Sequence, residues 1–213
     1  GENAIEAAVS LVEKNGGEVI VASIGTDDSV NNMRTALAMG CERGILVKAK
    51  DDELDSDLTA RIFAKLFEAE KPDLFILGKQ AIDGDSNQVG QLLAEYLGLP
   101  QACFVSKVEM LEDKTTLRAV REVDGGLETV ELRMPAVITA DLRLNTPRYP
   151  TLPNIMKAKR KEIKEFTIEG LGLAKELKVS TLRYSAPPQR KGGIKVKTVE
   201  ELVDKLKNEA KVL

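Results

Sequence analysis

Apolar residues recur at helical spacing over residues 3–14, where Ile5, Ala8, Val9 and Val12 share one face and Gly16-Gly17 close the pattern. A β-branched run follows, EVIVASI (18–24), of the kind seen in strands buried on both faces. The two signals then alternate. VNNMRTALAMG (30–40) reads as a helix, GILVKA (44–49) as a strand, and LTARIFAKLFEAEK (58–71) as a helix with Ile62, Ala64, Leu66 and Phe67 near one face. DLFILG (73–78) is the next strand and NQVGQLLAEYLG (87–98) the next helix. Strands each followed by a helix make βαβ units, hence a parallel sheet with right-handed crossovers. The acidic run DDELDSD (51–57) fits a solvated loop with Ser56 or Asp57 as the N-cap of the helix after it. It lacks the spacing and the glycine of a calcium loop.

After Pro100 the period changes to two. QACFVSKVEML and TTLRAVREV read as strands, DGG (124–126) as a tight turn and LETVELRM as the returning strand. This hairpin (115–134) extends the sheet in antiparallel fashion, and PAVITAD (135–141) returns to the buried-strand type. The segment DLRLNTPRYPTLPNIMKAKRKEIKEF is different. Pro147, Pro150 and Pro153 argue against regular structure, and Lys157 to Lys161 is strongly basic. Farther on, PPQRKGG (187–193) is an extended linker, and TVEELVDKLKNEA a helix capped by Thr198 with Glu200 and Glu201 in its first turn. These changes divide the chain into an α/β domain (1–141), a segment 142–162, and a C-terminal arm (163–213). The series opens on a helix although its symmetry asks for a strand first, so an N-terminal strand is expected to be missing.

Composition narrows the chemistry. The 213 residues carry 31 Lys+Arg against 34 Asp+Glu, a net charge of −3, so no nucleic-acid binding driven by bulk charge is expected. Histidine and tryptophan are absent, which removes His-based zinc sites, Ser-His-Asp triads and Cys-His pairs. Cys41 and Cys103 lie far apart and outside any CxxC, as buried apolar residues of a reducing compartment would. No run reaches the ~20 apolar residues of a membrane span, so an integral membrane protein is not expected. No signal peptide is recognisable either, and a cytoplasmic or mitochondrial-matrix location is the expectation.

In open parallel sheets ligands bind beyond the carboxyl ends of the strands. The loop after DLFILG, residues 78–91, runs straight into a helix, whose free N–H groups and dipole favour an anion. It is neither a P-loop nor GxGxxG, and an ordinary polar loop with Ser86 as cap stays open. Its length favours a ligand, since such loops usually run about 2–6 residues. Lys79 and Asp83 have no titratable partner nearby in sequence, which suits a structural or nucleotide-contact role; no acid–base pair is assigned. In Pro150–Met156, Leu152 sits on a backbone stiffened by prolines. Either it is an interaction anchor, or Leu152 and Ile155 tuck into the core.

At this point the residues resemble a known family. DLRLNTPRYPTLPNIMKAKRKEI is similar to the signature of electron transfer flavoprotein β subunits, and GKQAIDGDSNQVGQ resembles that family's nucleotide loop. RTALAMGCERGILV, DGGLETVELRMPAVITAD and PPQRKGGIKVKT match other stretches, so the likeness spans essentially the whole chain. It implies an α/β, doubly wound, mainly parallel sheet of the adenine-nucleotide-binding type, whose first strand, carried by family members, is absent here. It implies an electron carrier without catalytic residues of its own, paired with an α subunit that holds FAD, while this subunit binds structural AMP. The AMP loop maps onto Gln80, Ala81, Ile82, Asp83, Gly84, Asp85, Ser86, Asn87, Gln88, Val89, Gly90 and Gln91, with Ile24 lining the adenine. The loop that docks acyl-CoA and related flavin dehydrogenases, as in fatty-acid β-oxidation, maps onto about Ala140–Glu162. Leu152 matches its anchoring leucine, and Pro153, Ile155, Met156 and Lys157 adjoin it. Electrons would pass on to a membrane quinone oxidoreductase. A second branch binds another FAD in place of AMP, oxidises NADH and bifurcates its electrons. Its members typically carry a proline after the VG pair, where this chain has Gln91, and lack the NxPRYxTLPNIMKAK form. Outside the family, a free-standing adenine-nucleotide-binding module is the alternative.

Overall fold

A computed structural model describes residues 1–190 and 192–213. It contains two units, Gly1–Val179 and Ser180–Leu213. In the first, α1 (Glu2–Asn15), β1 (Ile20–Gly25), α2 (Ser29–Met39), β2 (Arg43–Lys48), α3 (Ser56–Glu70), β3 (Leu74–Gly78) and α4 (Val89–Leu97) follow in the expected alternation. Then come β4 (Gln101–Met110), β5 (Thr116–Val123), β6 (Gly126–Arg133), β7 (Ala136–Ala140), a short helix α5 (Leu152–Ala158) and β8 (Ile163–Thr167). The fold is α/β with mainly parallel strands, as the pattern predicts.

The strands form two sheets rather than one. One has the order β1-β2-β8, all parallel; the other is β3-β7-β4-β5-β6, parallel from β3 through β7 to β4 and antiparallel through the hairpin. β1 and β3 are therefore edge strands. The run 18–24, expected to be buried on both faces, is only half-buried through Ile20–Ile24, and β3 likewise, whereas β7 is buried at every position. Among the described residues no strand pairs with the free edge of either, so neither is closed in on both sides.

Three further expectations change. The N-cap of α3 is Asp55, not Ser56 or Asp57, its carboxylate accepting from the Leu58 N–H at 2.7 Å. The prolines do not abolish structure after residue 150. Pro153 lies in the first turn of α5, where its missing N–H is not needed by the helix. Finally, Ile163–Thr167, assigned to the arm, pairs in parallel with β2, so the first compact unit continues to Val179.

Both cysteines are buried and unpaired with each other, and burial pushes the Cys41 thiol up to about 11. In the second unit, α6 (Val199–Asp204) carries the expected cap: Thr198 Oγ1 accepts from the Glu201 N–H at 3.2 Å. A π-helical turn, Lys205–Glu209, continues it. The linker 187–193 has no helix or strand at its described positions, and its Lys191 lies outside the described residues.

Candidate functional site

β3, β7 and β4 run parallel, so their carboxyl ends gather on one side of the five-stranded sheet. Three groups converge there. Lys79, the first residue after β3, places its ammonium 2.8 Å from Asp141 Oδ2, just after β7. Arg143 donates to Asp141 Oδ1 through its backbone N–H and through Nε, each at 3.0 Å. The Asp141 carboxylate is buried, and the Arg143 hydrogen bonds, helped by Lys79, hold its pKa far below the usual carboxylate range against the cost of burial. Lys79 thus has the titratable partner that local sequence did not show, 62 residues away. Its ammonium also sits 5.4 Å from the centre of the Phe104 ring.

The loop beyond Lys79 is exposed from Gln80 to Ser86, Ile82 almost completely. It is held by its own polar groups: Gln80 donates to Asp85 Oδ1 at 2.9 Å, the Gly84 N–H to Asp83 Oδ1 at 2.9 Å, and Ser86 Oγ weakly to the Gly84 carbonyl at 3.5 Å. Asp85 and Asn87 take left-handed backbone angles, φ 47° and 46°, residue types that tolerate them. Ser86 is not the cap of α4. The N-cap position is Gln88, and no side chain caps the helix, so its first-turn N–H groups face the loop uncapped. Gln91 donates to Asn87 Oδ1 at 3.1 Å, while its own Oε1 is buried without a partner. An acceptor so placed asks for a donor, such as a hydroxyl or amine of a ligand. Val89 packs into the core beside Leu93 and Val137 and so anchors the loop's far end.

Gly90 fixes how closely that helix approaches the sheet. A Cβ there would lie 2.5 Å from Thr139 Cγ2. Thr139 is buried and its hydroxyl accepts from the Phe104 N–H at 3.0 Å, so it cannot step aside freely. We expect Gly90→Ala to push α4 off β7 and to cost about 1–3 kcal/mol, visible as a lower midpoint of thermal unfolding. Adding Thr139→Ser, which deletes the clashing methyl, should restore much of it. No recovery would mean the glycine serves the loop's backbone instead.

Ile24 lies in the other sheet, at the penultimate position of β1, and packs against the core cluster that includes Val47, Leu58 and Ile62. Its place among nucleotide contacts rests on the resemblance alone.

The segment before α5 is clamped to α1. Arg148 grips Glu6 through its backbone N–H and Nε (3.0 and 2.9 Å to Oε2) and Nη2 (2.9 Å to Oε1), and reaches Glu13 at 2.6 Å. The Arg148 hydrogen bonds hold the buried Glu6 carboxyl down at about 2. Asn145 and Asn3 exchange side-chain-to-carbonyl hydrogen bonds at 2.8 and 2.9 Å. Behind α5, Arg34 of α2 donates to the Ala158 carbonyl at 2.7 Å and also to that of Lys161. Only Ala158 of α5 is buried. Leu152 is 72% exposed, Met156 and Tyr149 stand out too, and Ile155 and Lys157 lie at the surface with Pro153. The core-packing alternative for Leu152 is thereby excluded. Sequence gave no sign of this clamp, because its two halves are 142 residues apart.

A long loop leading into the uncapped α4 and an exposed segment clamped to α1 are thus set on an open, mainly parallel α/β fold. Comparison with known proteins makes this specific. Residues 1–170 match the electron transfer flavoprotein domain, and the chain belongs to the electron transfer flavoprotein family. It is 52% identical over 215 residues to the electron transfer flavoprotein subunit beta of Bradyrhizobium diazoefficiens, covering 100% of this chain and 84% of that protein. It is 50% identical to the mitochondrial β subunit of Arabidopsis thaliana, over 100% of this chain and 84% of the relative. For the human β subunit the figures are 52%, 97% and 82%. No helix among the described residues is long and apolar enough to cross a membrane.

Proposed function

We propose that this chain is the small subunit of a heterodimeric electron-transfer flavoprotein, which takes electrons from acyl-CoA and related flavin dehydrogenases and delivers them to a membrane quinone oxidoreductase. The observation that carries this reading is the clamped segment: Arg148 fixes its backbone on Glu6 while Leu152 stays exposed. A carrier must present an apolar contact that is ordered before the partner arrives, because ordering it on docking would subtract from affinity. Electron chemistry comes from FAD held mainly by the α subunit, so this chain's residues position, bind and recognise.

In this reading the loop Gln80–Gln91 holds structural AMP. The uncapped first turn of α4 suits its phosphate, and the unpartnered Gln91 Oε1 suits a hydroxyl or amine donor. Lys79, tied by Asp141, holds the loop's near end, and Val89 and Gly90 hold its far end. The test is acid extraction of the purified heterodimer followed by chromatography of the released nucleotides. One AMP and one FAD per heterodimer is the expected result. Two FAD and no AMP would assign the chain to the NADH-oxidising, bifurcating branch, and a colourless homodimer would assign it to a free-standing nucleotide-binding module.

A further inference from the structure

α2 and α5 pack side by side and leave a groove of about 470 Å³ between them. Val30, Ala38 and Ile155 give it apolar walls, Pro150 closes one side, and Thr35 stands at the open rim. The groove is preformed. Arg34, which also lines it, is pinned to the carbonyls of Ala158, the last residue of α5, and Lys161, and the Ile155 N–H is bonded to the Thr151 carbonyl at 3.0 Å. It lies against the same short helix that begins with the exposed Leu152. The two charged residues that line it, Arg34 and Lys159, are both basic. No acidic residue occurs from Leu142 to Lys161, and among the described residues Lys157, Lys159 and Arg160 form no ion pair. Lys159 lies on the groove itself.

We propose that this groove is the second half of the dehydrogenase-docking surface: it receives an apolar side chain that the partner presents on a stretch of surface rich in carboxylates. The proposal rests on the docking reading above and deepens it. Lys159 on the slot, with Lys157 and Arg160 beside it in the chain and likewise without an ion pair, matches an acidic partner surface and repels a basic one. The slot and the Leu152 knob share the short helix α5, so one partner face can cover both. A knob that enters the partner, together with a groove that accepts a side chain from it, fixes the rotation of the two proteins as a single knob would not.

The test uses the assembled heterodimer. Thr35→Trp plants an indole over the groove from the exposed rim, and Asn31→Trp, one turn earlier, does so from a second position. Asn32→Trp places the same bulk on the same helix away from the groove. For both groove variants the flavoprotein concentration giving half-maximal dehydrogenase-driven reduction should rise about tenfold, equivalent to ~1.4 kcal/mol. FAD content and thermal unfolding should match those of Asn32→Trp. If groove and control variants behave alike while Leu152→Ala still weakens docking, the groove is not part of the surface and the docking reading stands. If Leu152→Ala has no effect either, the docking reading falls and this proposal with it.

Discussion

Leu152→Ala should slow electron transfer from an acyl-CoA dehydrogenase about ten- to hundredfold at limiting flavoprotein, with no change in FAD content, nucleotide content or thermal unfolding. The size follows from exposure and rigidity. Leu152 is 72% exposed, so most of its apolar surface is still available for burial on docking. Burying such a side chain contributes roughly 1.5–3 kcal/mol. Little of this is offset by ordering, since Thr151 already holds an extended backbone (φ −77°, ψ 153°), Pro153 follows, and Arg148 is locked on Glu6 and Glu13. The basic residues act differently. Lys157, Lys159 and Arg160 should mostly raise the association rate, an effect that fades with added salt. The Leu152→Ala defect should persist at high salt, because it removes a short-range apolar contact. A variant that loses stability but keeps its rate would show Leu152 to be structural after all.

The helices and strands were legible because their apolar periods are strong, and the hairpin because DGG falls between two alternating runs. The pattern misleads where neighbours far along the chain decide. EVIVASI has the composition of a strand buried on both faces, but β1 pairs only with β2 and lies at the sheet's edge, where Ile20–Ile24 stay half-buried. The strand IKEFT reads as polar and carries a weak local preference, yet β2 supplies a parallel template that overrides it. Three prolines suggested an irregular stretch, although Pro153 happens to fall where a helix tolerates it. The candidate site was legible in two ways. Residue pattern alone located a long loop at a strand's carboxyl end and a stiff apolar segment. Its specific residues came from the family resemblance. Neither route showed what supports them. Asp141 under Lys79, Thr139 under Gly90 and Glu6 under Arg148 are all long-range partners, and one sequence carries no signal for such pairs.

The C-terminal helix leads to the second large effect. α6 and its π-helical continuation span Val199–Glu209, below the ~12–15 residues at which an isolated helix holds itself in water. Its Thr198 cap and first-turn Glu200 and Glu201 help but do not suffice, so its apolar stripe needs a surface to lie on. Val199 is 70% exposed, Leu202 43% and Val203 46%, at the i, i+3, i+4 spacing of one helical face. On the heterodimer reading, that surface is the α subunit. Truncating the three side chains to alanine removes about 3–4 kcal/mol of apolar burial at the interface, taking ~0.8 kcal/mol per methylene and allowing for incomplete burial. Dissociation of the heterodimer should then become about a hundred- to thousandfold more favourable, measured by titrating the purified α subunit or by sedimentation at decreasing concentration. The Leu152 surface belongs to the other unit, so dehydrogenase docking by heterodimer that remains assembled should be unaltered. Full-strength assembly of the triple variant would show that the stripe is not buried against the α subunit, and residues 194–213 would then need a different partner.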